Sequence, residues 1–363
     1  MIPGMDTLVY VGTYSARGSE GIYIYRLDPG NGRLDRIGSV AAGKNPSYLA
    51  IDPAQRFLYA VSEVDDQEGK PGGGVRAFSL DRATGELEFL NAQSSRGAGP
   101  CHVSVDASGR CVLVANFGGG SVAALPILPD GRLGAASDFV QHPKPLILRD
   151  LQDAPHAHSV MVDPANAIAF APDLGLDRIM IYRLDAAAGR LRAHETPWVE
   201  LHPGAGPRHF AFHPSGRFAY VINELDNTVC AYGYAGNGAL EYLQRVSSLP
   251  AAWSGTSYCA DIHVSPDGRF VYGSNRGHHS IAIYAVDPAR GTLTPVGHES
   301  TRGEWPRSFA VDPTGRFLLV ANEHSDRIVC FAIDPRKGTL TPTGHAADVP
   351  APVCVKVLSP PGA

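Results

Sequence analysis

The 363-residue chain reads as an all-β protein, a seven-bladed β-propeller. Three observations predict this. A turn motif recurs seven times at near-even spacing. Each unit carries four short strand-like runs and almost no helical periodicity. The two ends of the chain supply complementary parts of one unit.

The turn motif is Asp-Pro-x-Gly-Arg or close to it. It is centred on Pro53 in IDPAQRF, Ala107 in VDASGRC, Pro164 in VDPANAI, Pro214 in FHPSGRF, Pro266 in VSPDGRF, Pro313 in VDPTGRF and Pro360 in VLSPPGA. Successive markers stand 54, 57, 50, 52, 47 and 47 residues apart, so no unit is skipped. Within a unit, a β-rich run such as RHFAFHP leads into the marker. Pro and Gly then make the turn, because their backbone preferences suit it. FAYVIN follows as a second strand, and two such runs around a short turn read as a hairpin. TVCAYGY is the third strand. A Gly-x-Leu turn opens the fourth, as in GALEYLQRV.

A linear stack of such units would need caps at its ends, and none is seen. TLVYVGTYS matches a second strand, GIYIYRLD a third and GRLDRIGSV a fourth. The first strand of that unit is the C-terminal VCVKVLSP. One blade shared by both ends closes the ring and removes the free edge. Residues 1–363 are therefore expected to form one domain. The repeat is neither WD40-like nor kelch-like, since no Trp precedes Asp and the glycine runs at 72–74 and 118–120 have no kelch setting.

Composition narrows the function. The chain is 44% hydrophobic, which suffices for a large core, and its net charge of −5 argues against a nucleic-acid partner. No run of 18 apolar residues predicts a membrane helix, and the start lacks the basic and apolar regions of a secretion signal. A cytoplasmic protein, monomeric or weakly self-associating, is expected. The six cysteines form no CxxC pair and read as buried free thiols.

The repeats can be aligned with one another. Nine residues after the marker stand Ser62, Asn116, Asp173, Asn223, Asn275 and Asn322. That uniformity suits a structural role, with ligand contact as the alternative. Ten residues after the marker the pattern breaks: Glu63, Phe117, Leu174, Glu224, Arg276, Glu323. Six residues before it the pattern breaks again: Ser47, Cys101, His158, Arg208, Ala260, Arg307, Cys354. One position on stand Tyr48, His102, Ser159, His209, Asp261 and Ser308. In a hairpin, the start of the first strand and the end of the second lie at one end. In a propeller, the first strands line the central channel. His158, Arg208, Glu224, Arg276 and Arg307 should therefore meet at one channel mouth, with His156, His102 and His209 close by.

Three arginines gathered in an acidic protein need an anion or neighbouring carboxylates. Arginine recognises carboxylate or phosphate with two parallel bonds. His158 or Glu224 can move a proton, and an arginine facing a carbonyl oxygen stabilises an oxyanion. This equipment suits hydrolysis of an anionic cyclic ester. No GxSxG elbow and no Gly-rich phosphate loop is present. Two minor readings also stand: a metal site on His156 and His158 with Asp173 or His209, and a Cys101–His102 nucleophile pair, disfavoured because strand neighbours point to opposite faces.

At GPCHVSVD (99–106), PHAHSVMVDP (155–164), APDLGLDRI (171–179), GPRHFAFHPSGRFAYVINEL (206–225), SPDGRFVYGSNRGHHSIAIY (265–284) and WPRSFAVDPTGRFLLVANEHSD (305–326), the chain resembles the lactonase-type seven-bladed β-propellers. That family takes in propeller-type 6-phosphogluconolactonases and the fungal carboxy-muconate lactonising enzyme. The resemblance implies a histidine at His158, with His156 close behind, arginines at Arg208 and Arg276, and a glutamate at Glu224 as the active-site group. It implies no cofactor and no metal. Substrate contacts are expected from His156, His102, His209, Arg307, Asp173, Asn223, Asn275 and Asn322. The first functional expectation is a lactone hydrolase acting on 6-phosphogluconolactone. The alternatives are a carboxy-muconate cycloisomerase and a non-catalytic propeller that binds a ligand or protein.

Overall fold

The structure is a computed structural model that describes residues 7–67, 70–145 and 151–358. Pro360, read above as the seventh turn marker, lies outside them.

Seven four-stranded antiparallel sheets form the blades of a ring. In blade order, from Thr7 onward, the first sheet joins Thr7–Thr13, Ile22–Leu27 and Leu34–Val40 to the C-terminal strand Pro352–Val357. Both ends of the chain thus share a blade, and Tyr10 pairs with Lys356 across the closure. The fifth blade shows the common pattern: Pro207–Phe212, Phe218–Asn223, Thr228–Tyr234 and Leu240–Ser247.

The order of burial follows from this geometry. Second strands are covered on both faces by neighbouring blades, and all six residues of Phe218–Asn223 are buried. Burial of each large apolar side chain contributes about 1.5–3 kcal/mol. Fourth strands lie at the rim, and Leu240–Ser247 mixes half-buried with exposed positions. The core is accordingly a series of clusters between blades. One joins Tyr220 and Ile222 of the fifth blade to Val271, Ala282 and Tyr284 of the sixth. Second-strand tyrosines add a polar link: Tyr59, Tyr220 and Tyr272 donate to the carbonyls of Gly131, Gly291 and Gly338 in the next blade's outer turn.

The recurring turn explains its own residues. Asp106 Oδ1 accepts the backbone N–H groups of Arg110 and Cys111, and Asp163 Oδ1 those of Ala167 and Ile168. Glycine takes the left-handed position at Gly109, Gly216, Gly268 and Gly315, where a side chain is strained.

The terminal blade corrects the expected register. Leu358 N–H donates to Leu8 O, as His213 N–H does to Phe218 O. The unit therefore begins one residue earlier than the Pro360 marker implies. Val353 takes the place of Arg208, and Cys354 takes that of His209.

Candidate active site

The site residues are brought together by one backbone device repeated around the ring. In five of the seven blades the residue at the Glu224 position donates its N–H to the carbonyl just ahead of the first strand of its own blade; in the fourth blade Leu174 donates to His156, which is not left-handed, and in the sixth Arg276 pairs with Tyr258 within the sheet. Glu224 donates to Gly206, Glu63 to Asn45, Phe117 to Gly99, Glu323 to Trp305 and Tyr14 to Ala351. All five accepting residues have positive φ, between 45° and 63°, and a proline follows each. The left-handed residue turns the chain into the channel, and the next few side chains form the mouth.

A second device sets their direction. The pairing of Pro207–Phe212 with Phe218–Asn223 skips Arg208: Pro207 pairs with Asn223, and His209 with Ile222. The same skip falls at Cys101 and at Arg307. A β-bulge re-aims a side chain in this way. Arg208 and its neighbour His209 consequently meet, with Arg208 Nη1 3.3 Å from His209 Nε2. Strict strand alternation fails at this position. At the matching place Cys101 reaches the next blade, with Sγ 3.7 Å from His158 Nδ1 and 3.3 Å from His158 O. Burial pushes the Cys101 thiol well up, so it is a filler of the mouth wall and not a nucleophile.

Arg208, Glu224 and Arg276 form the centre. Arg208 Nε and Arg276 Nη2 each lie 2.8 Å from the same Glu224 oxygen, Oε2. Arg208 Nη1 also donates to Ala260 O, and Arg276 Nη2 donates to Cys259 O at 2.8 Å. Burial pushes the Glu224 carboxyl up, but the charges of Arg276, Arg208 and Arg307 outweigh it and hold it below the usual carboxylate range. Burial and then Arg276 bring Arg208 down to about 10, which leaves it charged at neutral pH.

His158 sits beside this group, its ring 5.4 Å from that of His209 and edge-on to Phe117 at 5.3 Å. Burial, then Arg208, His209 and Arg307, push its pKa well below the ordinary histidine value, so the imidazole is neutral. Arg307 differs from its two partners. Among the described residues it makes no ion pair; its guanidinium lies over the Tyr14 ring at 5.3 Å. Burial opposes its charge, but Tyr14, Glu63, Glu323 and Glu224 together raise its pKa.

Two cavities flank the cluster. The mouth cavity, about 460 Å³, is lined by Phe117, His156, Leu174, Glu224 and Leu225 among others. His156 stacks on Phe117 there at 4.5 Å. The channel on the far side, about 580 Å³, is lined by Tyr48, His102, His209, Asp261, His263 and Lys356 with apolar walls below them. His102 and His209 thus stand one layer deeper than His158, and the two cavities share no lining residue.

Five expected contacts, Arg307, Asn223, Asn275, Asn322 and Asp173, line neither cavity. Asn223, Asn275 and Asn322 are fully buried. Their amides bond within and between blade elements, to Thr228 Oγ1, to Ser248 O and to Thr301 O. They lock the ends of second strands and are not ligand contacts. Asp173 is also fully buried, with Oδ2 2.5 Å from His142 Nδ1 and Oδ1 accepting the His156 N–H. The reading of Asp173 as a substrate ligand is corrected on the same ground. Among the described residues no group of three or more His, Cys, Asp or Glu side chains is arranged to hold a metal ion. All six cysteines are buried and unpaired.

The structure adds residues that the expected set lacked. Tyr14 occupies the seventh copy of the Glu224 position and donates to Glu63 Oε1 at 3.2 Å. Aligning TLVYVGTY with FAYVINEL reveals it. Trp305 packs between His324, stacked at 4.8 Å, and the Arg276 guanidinium at 5.4 Å. Its φ of 62° is unusual for so large a residue; Gly99 and Gly206 fill the same place elsewhere.

Comparison with known proteins agrees with this architecture. The family described as "Lactonase, 7-bladed beta-propeller" matches residues 8–357. A 6-phosphogluconolactonase of Bacillus subtilis (strain 168) is 40% identical over 351 residues, covering 96% of this chain and 97% of its own. The periplasmic gluconolactonase of Pseudomonas aeruginosa is similar in structure, with a TM-score of 0.92 and 36% identity over 98% of this chain and 100% of its own. A protein of Bacteroides fragilis gives a TM-score of 0.92 at 34% identity over 99% of both chains. A match that runs almost end to end, on a ring of seven blades closed by the two chain ends, makes this chain a member of the lactonase family of seven-bladed β-propellers.

Proposed function

We propose that the protein hydrolyses a phosphorylated sugar lactone, with 6-phosphogluconolactone as substrate, at the mouth built on Arg208, Glu224 and Arg276. The observation that carries this reading is the contrast among three arginines. Two pair directly with Glu224, while Arg307 has no carboxylate within ion-pair distance among the described residues. A guanidinium with no carboxylate in contact with it can take a phosphate.

On this reading Arg307 holds the phosphate. Glu224 orients Arg208 and Arg276, which face the lactone carbonyl. Neutral His158 takes a proton from water, and the resulting hydroxide adds to the carbonyl carbon. The guanidinium groups stabilise the oxyanion. As the tetrahedral intermediate collapses, the ring C–O bond breaks and the ring oxygen takes the proton back from His158. The products are a free hydroxyl and a carboxylic acid, which releases its proton to solvent and leaves as the carboxylate. Glu224 is the weaker choice of base, because two arginines stabilise its charged form. The bound phosphate also offsets Arg307, one of the charges that depress His158. Substrate binding thus raises the basicity of His158 when it is needed. The protein then works in the cytoplasm, where sugar phosphates are retained.

The test is a comparison of glucono-δ-lactone with its 6-phosphate, each corrected for spontaneous hydrolysis. The reading expects kcat/KM at least tenfold higher for the phosphate. Equal values would remove Arg307 as a phosphate site.

A further inference from the structure

Beneath Arg208 runs a chain of hydrogen bonds that no part of the proposed chemistry uses. Arg208 Nη1 lies 3.3 Å from His209 Nε2. A guanidinium only donates, so Nε2 accepts. His209 is neutral, because burial and then Arg208 push its pKa down to about 4. The single ring proton therefore sits on Nδ1, which faces Asp261 Oδ1 at 2.8 Å. Asp261 in turn is held from every side. Its Oδ1 accepts the Ile262 N–H at 3.0 Å. Its Oδ2 accepts from Ser308 Oγ at 3.0 Å, His263 Nε2 at 3.2 Å and the Phe309 N–H at 3.3 Å. Both oxygens accept a backbone N–H, so an asparagine, with one carbonyl oxygen, leaves one of those N–H groups facing an amide. Only a carboxylate satisfies the whole set.

We propose that Asp261 is a positioning residue for lactone hydrolysis: through the fixed tautomer and orientation of His209 it holds the Arg208 guanidinium at the channel mouth. A carboxylate behind a histidine commonly sets ring orientation in this way. Here the histidine presents an acceptor to an arginine. The sixth blade, which has Ala260 at the Arg208 position and supplies Arg276 directly, also acts on the fifth blade's Arg208 through His209. This inference rests on the role of Arg208 proposed above.

Three measurements on the full-length protein test it. The nitrogen-15 spectrum of His209, assigned by its absence in His209→Gln, should show the proton on Nδ1 and a bare Nε2; the opposite tautomer overturns the proposal. Asp261→Asn should lower kcat about tenfold with a smaller change in KM, and the double variant Asp261→Asn, Arg208→Ala should be no slower than Arg208→Ala alone. Multiplied losses in the double variant overturn the proposal, since Asp261 would then act by another route. Should Asp261→Asn fail to fold, His209 substitutions take its place. His209→Gln, whose amide oxygen can accept from Arg208, should stay at least fivefold more active than His209→Leu, and equal losses overturn the proposal. If Arg208→Ala itself hydrolyses lactone at the wild-type rate, the lactonase reading of the mouth fails, while the His209 tautomer still decides the positioning claim.

Discussion

Arg208 and Glu224 stand sixteen positions apart in the chain and meet with Nε 2.8 Å from Oε2. The hairpin turn at Pro214 returns the chain to its starting end, and the bulge at Arg208 aims the guanidinium into the mouth. The contact buries Arg208 to 2% exposure. A buried guanidinium without its carboxylate is costly, and this pairing is the basis of the first prediction.

Glu224→Gln removes the single negative charge that pairs with both Arg208 and Arg276. Breaking one side of a buried ion pair costs about 3 kcal/mol, and the arginines are no longer held in place. Turnover should fall at least tenfold, with a measurable drop in thermal midpoint. Wild-type turnover in the folded variant would show that the pair is only structural.

Arg307→Gln tests recognition separately from chemistry. A hydrogen bond to a charged group contributes about 1.5–3 kcal/mol, which corresponds to roughly ten- to hundredfold in affinity. KM for the 6-phosphate should rise by that order, and KM for glucono-δ-lactone should hardly change. A parallel rise for both substrates would assign Arg307 to the mouth's architecture instead.

Trp305→Gly keeps the left-handed turn, since glycine adopts it freely, but removes the indole that packs on Arg276. A cation–π contact contributes about 0.5–2 kcal/mol. The loss in kcat/KM should be a few-fold to about thirtyfold. Unchanged kinetics would show that Arg276 is held by Glu224 and Cys259 alone.

Acid should destabilise the fold through the channel histidines. His102, His158 and His209 all have folded pKa values below the unfolded value near 6.5, chiefly from burial. The unfolded chain therefore binds more protons as pH falls below about 6.5. Stability is full above that value and is lost on acidification, down to about 4 for His209. Three such groups give a slope of about 4 kcal/mol per pH unit where all differ. Glu224 and Asp261 have lowered pKa values and add their loss at still lower pH. Thermal midpoints measured from pH 7 to pH 4 should fall steadily, and a flat profile would contradict the burial of neutral imidazoles.

Much of this was legible in the chain itself. The Asp-Pro-x-Gly turns count the blades because their aspartates and glycines answer a local backbone need that each blade repeats. The complementary ends follow from strand patterns of the same kind. The residues that break the repeat, Arg208, Glu224, Arg276 and His158, stand out because the repeat supplies its own background. Other features depend on three-dimensional detail that a linear pattern lacks. The bulge at Arg208 inserts one residue, so Arg208 and His209 face the same way although alternation says otherwise. The C-terminal strand of the first blade starts one residue early, a shift that the two successive prolines in VLSPPGA conceal in the sequence. Asn223, Asn275 and Asn322 stand beside the site in sequence, yet their amides are used inside the blades. Trp305 looks like an ordinary loop residue until its stacking on Arg276 is seen.

The most direct test of the central claim is the rate of 6-phosphogluconolactone hydrolysis by the purified protein, measured above the spontaneous rate, for wild type and for Arg208→Ala. The account predicts clear acceleration by the wild type and a loss of at least tenfold in the folded variant. Hydrolysis no faster than the spontaneous reaction, or equal rates for the two proteins, would contradict it.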